Sequence, residues 1–266
     1  MQRIKHFIIH SVDTYYKHRT VPVPAVGRLR GCKLISHRGE HDNQTVFENT
    51  LPAFERANRA GVWGIELDLR WTRDLKPVVF HDPDTRRLFG ENYRISRLRV
   101  DELNHIFPQI PTLKDVVERF GQKMHLMLEI KKEPYPEPDI QRRTLISVLA
   151  ALAPMFDFHL LSLNPKMFRY FDDFPNECCL PIAELNLRSI SKIAIREKHG
   201  GILGHYLLVS RHYQKRHGQH GQKVGTGYAN SPNCLYRELN RGVEWIFSNR
   251  AATLQKMIND RLKKIG

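Results

Sequence analysis

Nowhere in the 266 residues does an uncharged apolar run approach the roughly 18 residues that a membrane-crossing helix needs, and the longest apolar runs are of strand length. Cysteine is scarce. Cys32, Cys178, Cys179 and Cys234 form no CxxC pair and no metal-finger spacing, and two of them are adjacent, an arrangement unsuited to a disulfide framework. The expectation is reduced thiols in a cytoplasmic protein. Acidic residues are in deficit: 28 Asp and Glu against 42 Lys and Arg leave a net charge of +14 with His neutral. That balance attracts anionic partners, whether phosphates, nucleic acid or an acidic membrane surface, and says nothing about fold. No recognised nucleic-acid-reading motif accompanies the charge, so nucleic acid is not an expected partner. Phe7 to Ile9 is the only uninterrupted apolar run near the start, whereas a secretory signal needs about 7 to 15 apolar residues there, so none is expected. There is no internal repeat beyond an alternation of strand-like and helix-like stretches, and no Ser/Gly-rich linker, which argues for one domain at 33–266 with an N-terminal arm at 1–32. With 41% hydrophobic residues, 16 Gly and 15 Pro, disorder, collagen and coiled coil are excluded.

Short runs rich in Val, Ile and Leu alternate with helical stretches along the chain, the pattern of βα units and a parallel sheet. Strands are expected at 33–36, 64–69, 125–130, 159–163, 179–183, 205–210, 223–228 and 243–248, each followed by a helix. Helical spacing is clear in Leu51, Phe54, Ala57 and Ala60 before Gly61, and in Leu113, Val116, Val117 and Phe120 before Gly121. Eight units predict an α/β fold, a (β/α)8 TIM barrel. The segment 70–82 reads as a strand returning after a turn at Arg73–Asp74, hence a ribbon on the second barrel strand. The polar, Arg-rich stretch 83–111 reads as a short insertion over the barrel mouth. In the arm, Ile4, Ile8, Val12 and Tyr15 fall near helical spacing with Arg3, Lys5 and Lys17 around them. A helix plugging the barrel bottom and a helix lying on an anionic membrane surface both fit this pattern.

Active sites of such barrels lie where strands end and loops begin. The strand ends here carry Ser36-His37-Arg38-Gly39, Glu66-Leu67-Asp68, His81-Asp82 at the ribbon's end, and Glu129-Ile130-Lys131. Strand side chains alternate faces, so Glu66 and Asp68 point the same way, as do Glu129 and Lys131. Three carboxylates converging on one mouth repel one another unless a cation sits among them, and an all-oxygen set suits a hard divalent ion, Mg²⁺ or Ca²⁺, better than zinc. His37 and His81, each at a strand end, titrate near neutral pH and suit a general base and a general acid. Arg38 and Lys131 supply a fork and a point charge for a phosphate anion.

Taken together, LISHRG, FENTLPAFERANRAG, GIELDLRWTRD, PVVFHDPDTRR, IPTLKDVVERF and LMLEIK resemble the glycerophosphodiester phosphodiesterase family, in order and with its gaps, over about residues 33 to 131. The resemblance implies a metal-dependent hydrolase of small glycerophosphodiesters on a barrel fold, giving sn-glycerol 3-phosphate and an alcohol. It matches His37 and His81 to the catalytic histidines, with His37 as proton acceptor and His81 as donor. It matches Glu66, Asp68 and Glu129 to metal ligands, Arg38 and Lys131 to phosphate contacts, and Glu48 of Glu48-Asn49-Thr50 to a carboxylate that organises metal and substrate. The second half departs from the family: Leu161-Ser162-Leu163-Asn164 stands where Ser-Phe is usual, and Gly227-Tyr228-Ala229-Asn230 where a Trp-Thr-Val-Asn-like run is usual. These positions imply an altered wall around the alcohol part of the substrate, with Tyr228 as either a replacement ring or strand packing. Two rivals stay open, a phospholipase D-like lyase acting on choline phospholipids or lysophospholipids, and a non-catalytic basic membrane-binding module. The basic tract 211–220 reads as a solvated helix or loop, and no role is assigned to it.

Overall fold

The computed structural model describes residues 14, 15 and 17–265. The arm residues Ile4, Ile8 and Val12, on which the choice between plug and membrane helix turns, lie outside the described residues. Eight parallel strands form the barrel: β1 (Lys33–His37), β2 (Gly64–Trp71), β4 (His125–Ile130), β5 (Phe158–Ser162), β6 (Cys179–Ala183), β7 (Gly201–His205), β8 (Lys223–Gly227) and β9 (Trp245–Ser248). Closure comes from β1, which pairs with both β2 and β9. The expected ribbon is β3 (Pro77–Val79), antiparallel to β2 with Leu69 beside Val79.

Strand side chains divide between two layers. Ile65, Leu67 and Leu69 of β2 and Leu126, Leu128 and Ile130 of β4 pack outward with Phe54, Val116, Phe120 and Leu145 from the surrounding helices. Their neighbours in sequence face into the barrel, where Ile35, Met127, Leu161, Leu180, Leu203 and Phe247 form an apolar middle layer. Helix starts are capped: Thr50 accepts from the Ala53 amide at the head of Leu51–Arg59, and Thr112 and Asp115 form a capping box before Leu113–Phe120.

Below the apolar layer the floor of the barrel is polar. His125 Nε2 and His159 Nδ1 lie 2.7 Å apart, and His125 Nδ1 faces the Phe156 carbonyl at 2.9 Å. Trp63 stacks on His125 with centroids 4.4 Å apart, and Trp245 meets His159 edge-on. Burial pushes His125 down to about 4 and His159 to about 3, so both rings are neutral at physiological pH.

One strand is displaced from expectation. The run 205–210, expected as the sixth barrel strand, is not one: β7, the sixth strand of the barrel, ends at His205, where that run begins, and Tyr206 to Val209 leave the sheet. The strand hides in Gly200-Gly201-Ile202-Leu203-Gly204, which reads as a turn signal. The glycines are there because of close approach, since a Cβ on Gly201 would lie 1.9 Å from the Lys223 carbonyl oxygen. Tyr206 is buried outside the barrel, and Val209 packs with Leu187 and Ile190. The helix expected after β5 is also altered: the aromatic-rich stretch forms the 3₁₀ turns Pro165–Phe171 and Asn176–Cys178.

The insertion at 83–111 contains the short helices Arg86–Phe89 and Val100–Ile106. It has a small core of its own, in which Ile95, Leu103, Phe107 and Ile110 close on Val78 and Phe80 of the ribbon. Among the described residues no helix is long and apolar enough to cross a membrane.

Candidate active site

Register assembles the acidic cluster. Asp68 on β2 lies beside Glu129 on β4, and Glu66 lies beside His37 on β1, so three inward carboxylates occupy neighbouring positions near the C-terminal mouth. Glu66, Asp68 and Glu129 are buried, and each offers an oxygen within 4.8 Å of the others'. Glu66 Oε1 is buried without a hydrogen-bond partner, a lone pair left for a ligand. The donor set is all oxygen, so the residues present fit a hard divalent cation.

Two basic side chains contact this cluster. Lys131 Nζ lies 2.5 Å from Asp68 Oδ1 and 2.6 Å from Glu129 Oε1. Arg38 Nε lies 3.2 Å from Asp68 Oδ2, its Nη1 donates to Glu48 Oε1 at 2.9 Å, and its backbone N–H donates to Glu66 Oε2 at 3.1 Å. Burial works against ionisation of Asp68, but the Lys131 and Arg38 charges outweigh it and hold its carboxyl well below the usual range. Glu66 moves the other way: burial, then the Asp68 and Glu129 charges, push it well above. Burial likewise raises Glu129. Lys131 rises despite burial, because Asp68 and Glu129 favour the ammonium.

The chain reverses sharply to deliver these groups. Arg38 has φ +60° and Gly39 φ +77°, two left-handed residues in succession, and a Cβ on Gly39 would lie 2.8 Å from the Ala53 backbone. Asn49, at φ +59°, turns its amide onto the cluster, with Nδ2 donating to Asp68 Oδ2 at 2.7 Å and Oδ1 accepting from the Asp68 backbone N–H at 3.2 Å.

His37 is held at both ring nitrogens. Nδ1 faces Asn249 Oδ1 at 2.8 Å, and Nε2 faces the Tyr228 hydroxyl at 3.2 Å with Glu66 Oε2 at 3.7 Å. Burial first, then the Arg38 charge, push its pKa down to about 3 despite the opposing Asp68 charge. His81 follows β3 rather than a barrel strand, and its carbonyl accepts from Arg70 Nε and Nη2 at 3.0 and 2.7 Å. Its Nδ1 lies 2.7 Å from Asp82 Oδ1. Burial lowers its pKa, and the Asp68 carboxylate opposes that shift. From the insertion, Arg87 ties Asp82 to Glu48, with Nε 2.5 Å from Asp82 Oδ2 and Nη2 2.5 Å from Glu48 Oε1. Burial opposes ionisation of Glu48, but Arg87 and Arg38 pull it down to about 2.

Glu66, Asp68, Glu129, Lys131, Arg38 and His37 thus form one contact network, with Glu48 joined through Arg38. His81 stands at the rim with Asp82. Sequence reasoning missed Asn49, Arg87 and Asn249. Asn249 was findable, since it directly follows β9 at the mouth; Arg87 was not, because nothing in its spacing marks which of the insertion's arginines turns inward. The departures also have defined places: Ser162 Oγ donates to the Ile130 carbonyl at 2.8 Å, Leu163 is exposed, and Tyr228 sits against His37 with ring centroids 4.5 Å apart.

A closed (β/α)8 barrel that gathers its acidic, basic and imidazole groups at one mouth belongs to the class whose chemistry lies at the C-terminal ends of the strands. Residues 37–160 match the model of the glycerophosphoryl diester phosphodiesterase family. A glycerophosphodiester phosphodiesterase of Bacillus altitudinis is 32% identical over 124 residues, 42% of this chain and 50% of that protein. The chain spans about half the length of the curated relatives it matches. Solved structures extend the likeness of fold. A Thermotoga maritima glycerophosphodiester phosphodiesterase superposes with TM-score 0.70 at 23% identity, covering 85% of this chain and 98% of that one. An Oleispira antarctica phosphodiesterase, in complex with the product sn-glycerol-3-phosphate, superposes with TM-score 0.72 at 21% identity, covering 85% and 96%.

Proposed function

We propose that the chain hydrolyses glycerophosphodiesters to sn-glycerol 3-phosphate and an alcohol, with Mg²⁺ or Ca²⁺ held by Glu66, Asp68 and Glu129. The observation that carries this reading is the buried carboxylate trio with an unpartnered Glu66 oxygen, set directly against His37 and Arg38. The bound cation would supply Lewis-acid polarisation of a phosphoryl oxygen. Arg38 and Lys131 neutralise the remaining phosphoryl charge, and Glu48, gripped by Arg38 and Arg87, keeps the Arg38 fork aimed. His37 Nε2 accepts the proton of the attacking hydroxyl. His81 passes a proton to the leaving alkoxide, with Asp82 supporting the imidazolium.

A net charge of +14 and only four cysteines, without the spacing of a disulfide framework, support a cytoplasmic protein that meets an anionic small-molecule substrate, in solution or at the periphery of an anionic membrane. The deciding assay presents glycerophosphocholine, glycerophosphoethanolamine and lysophospholipids to purified protein with and without EDTA. Release of EDTA-sensitive phosphomonoester supports the reading. A cyclic phosphate as the final product would replace it with the lyase, and no product from any of the three would leave the non-catalytic module.

A further inference from the structure

We infer that Asn249 is a positioning residue that holds His37 as the Nδ1–H tautomer, leaving Nε2 as the proton acceptor; this deepens the reading of His37 as the general base. An amide oxygen only accepts hydrogen bonds, so the ring nitrogen facing Asn249 Oδ1 at 2.8 Å is the one that carries the proton. A neutral imidazole has one N–H, so Nε2 keeps its lone pair and takes the Tyr228 hydroxyl as donor at 3.2 Å. The opposite tautomer has a competing attraction, because Glu66 Oε2 lies 3.7 Å from Nε2 and would draw an N–H to that side. Asn249 is the acceptor that pulls the proton to the far nitrogen.

Asn249 is itself placed. Ser36 on β1 pairs in register with Ser248 on β9, so the next residues along, His37 and Asn249, are side by side at the mouth. The Asn249 backbone N–H donates to Asn230 Oδ1 at 3.0 Å, and the Ser248 hydroxyl donates to the same oxygen at 3.3 Å. The Arg250 backbone N–H donates back to Ser248 Oγ at 2.9 Å, closing the turn that presents the amide. Orientation of a catalytic histidine by a hydrogen bond to its second nitrogen is a general device for fixing which nitrogen does the chemistry.

The test compares Asn249→Leu, which removes the acceptor, with Asn249→Asp, which retains one. Two-bond ¹H–¹⁵N correlation spectra of histidine-labelled protein at pH 7.5 should show His37 as Nδ1–H in the wild type and in Asn249→Asp, and as Nε2–H or a mixture in Asn249→Leu. With glycerophosphocholine and Mg²⁺, Asn249→Leu should lower kcat at least about tenfold with KM little changed, and Asn249→Asp should recover most of the loss. A wild-type spectrum showing Nε2–H, an unchanged tautomer in Asn249→Leu, or an unchanged kcat in that variant would overturn the inference. The spectrum reports the tautomer whatever the substrate, so absence of turnover in the wild type counts against the proposed reaction and leaves the spectrum to decide the role of Asn249.

Discussion

Acidification should unfold this protein through the floor of its barrel. His125 and His159, each 5% exposed, are pushed by burial to about 4 and about 3, whereas in the unfolded chain each titrates near 6.5. The folded pKa values are depressed, so between pH 6.5 and 4 the unfolded chain binds more protons, and folding stability falls as pH falls. At pH 5 an unfolded histidine is 1.5 units below its pKa, which favours unfolding by about 2 kcal/mol per ring, or about 4 kcal/mol for the pair. A double variant with His125→Leu and His159→Phe removes the titrating groups together and leaves no orphaned ring nitrogen between them. Urea unfolding at pH 7.5, 6.5 and 5.0 should show the wild type losing about 4 kcal/mol more than the double variant over that range, whatever their difference at pH 7.5. Equal losses would mean that the folded rings take up protons as readily as unfolded ones, and the account of a dry, neutral floor would fail.

Replacing His37 or His81 by Ala should lower kcat by about 10²–10⁴ each while circular dichroism and cation content stay unchanged; a near-wild-type rate would make that residue structural. Chelation should abolish turnover, Mg²⁺ or Ca²⁺ should restore it, and Glu66→Gln should mimic the chelated protein, whereas full activity in EDTA after exhaustive dialysis would sink the cation assignment. Arg87→Leu removes one partner from the buried Glu48, and because the guanidinium side chain is 44% exposed the cost should be about 1 kcal/mol in urea unfolding, together with a loss of kcat/KM. Gly201→Ala places a Cβ 1.9 Å from the Lys223 carbonyl oxygen and should destabilise the barrel by more than about 3 kcal/mol; an unaffected unfolding midpoint would mean that β7 is misplaced.

The barrel was legible because a two-residue alternation survives wherever one strand face meets helices and the other meets the barrel interior. Gly64–Trp71 shows this most clearly, with Ile65, Leu67 and Leu69 outward and Glu66 and Asp68 inward. β7 was illegible for the converse reason: crowding by the Lys223 and Glu177 carbonyls leaves room only for glycine at positions 200 and 201, and glycine carries no alternation. Glu66, Asp68 and Glu129 could be named in advance because strand periodicity aims them, whereas Arg38 sits in the reversal after β1 and Glu48 was named only through the family resemblance. Asn49 and Asn249 escaped because they act through loop geometry, a left-handed φ in one and a turn after β9 in the other, and asparagine is common in loops for reasons unconnected with catalysis.

The two histidines rest on foundations of unequal strength. His37 ends a strand paired on both sides within the closed barrel, whereas His81 follows a three-residue ribbon pinned to β2 and to a satellite core under the insertion. A local opening of that ribbon carries off His81, Asp82 and Arg87 in one event and leaves Glu66, Asp68 and Glu129 seated in the barrel wall. On the proposed reading, warming to just short of global unfolding should stop turnover while the carboxylate trio keeps its cation, and cooling should restore the reaction without refolding the barrel.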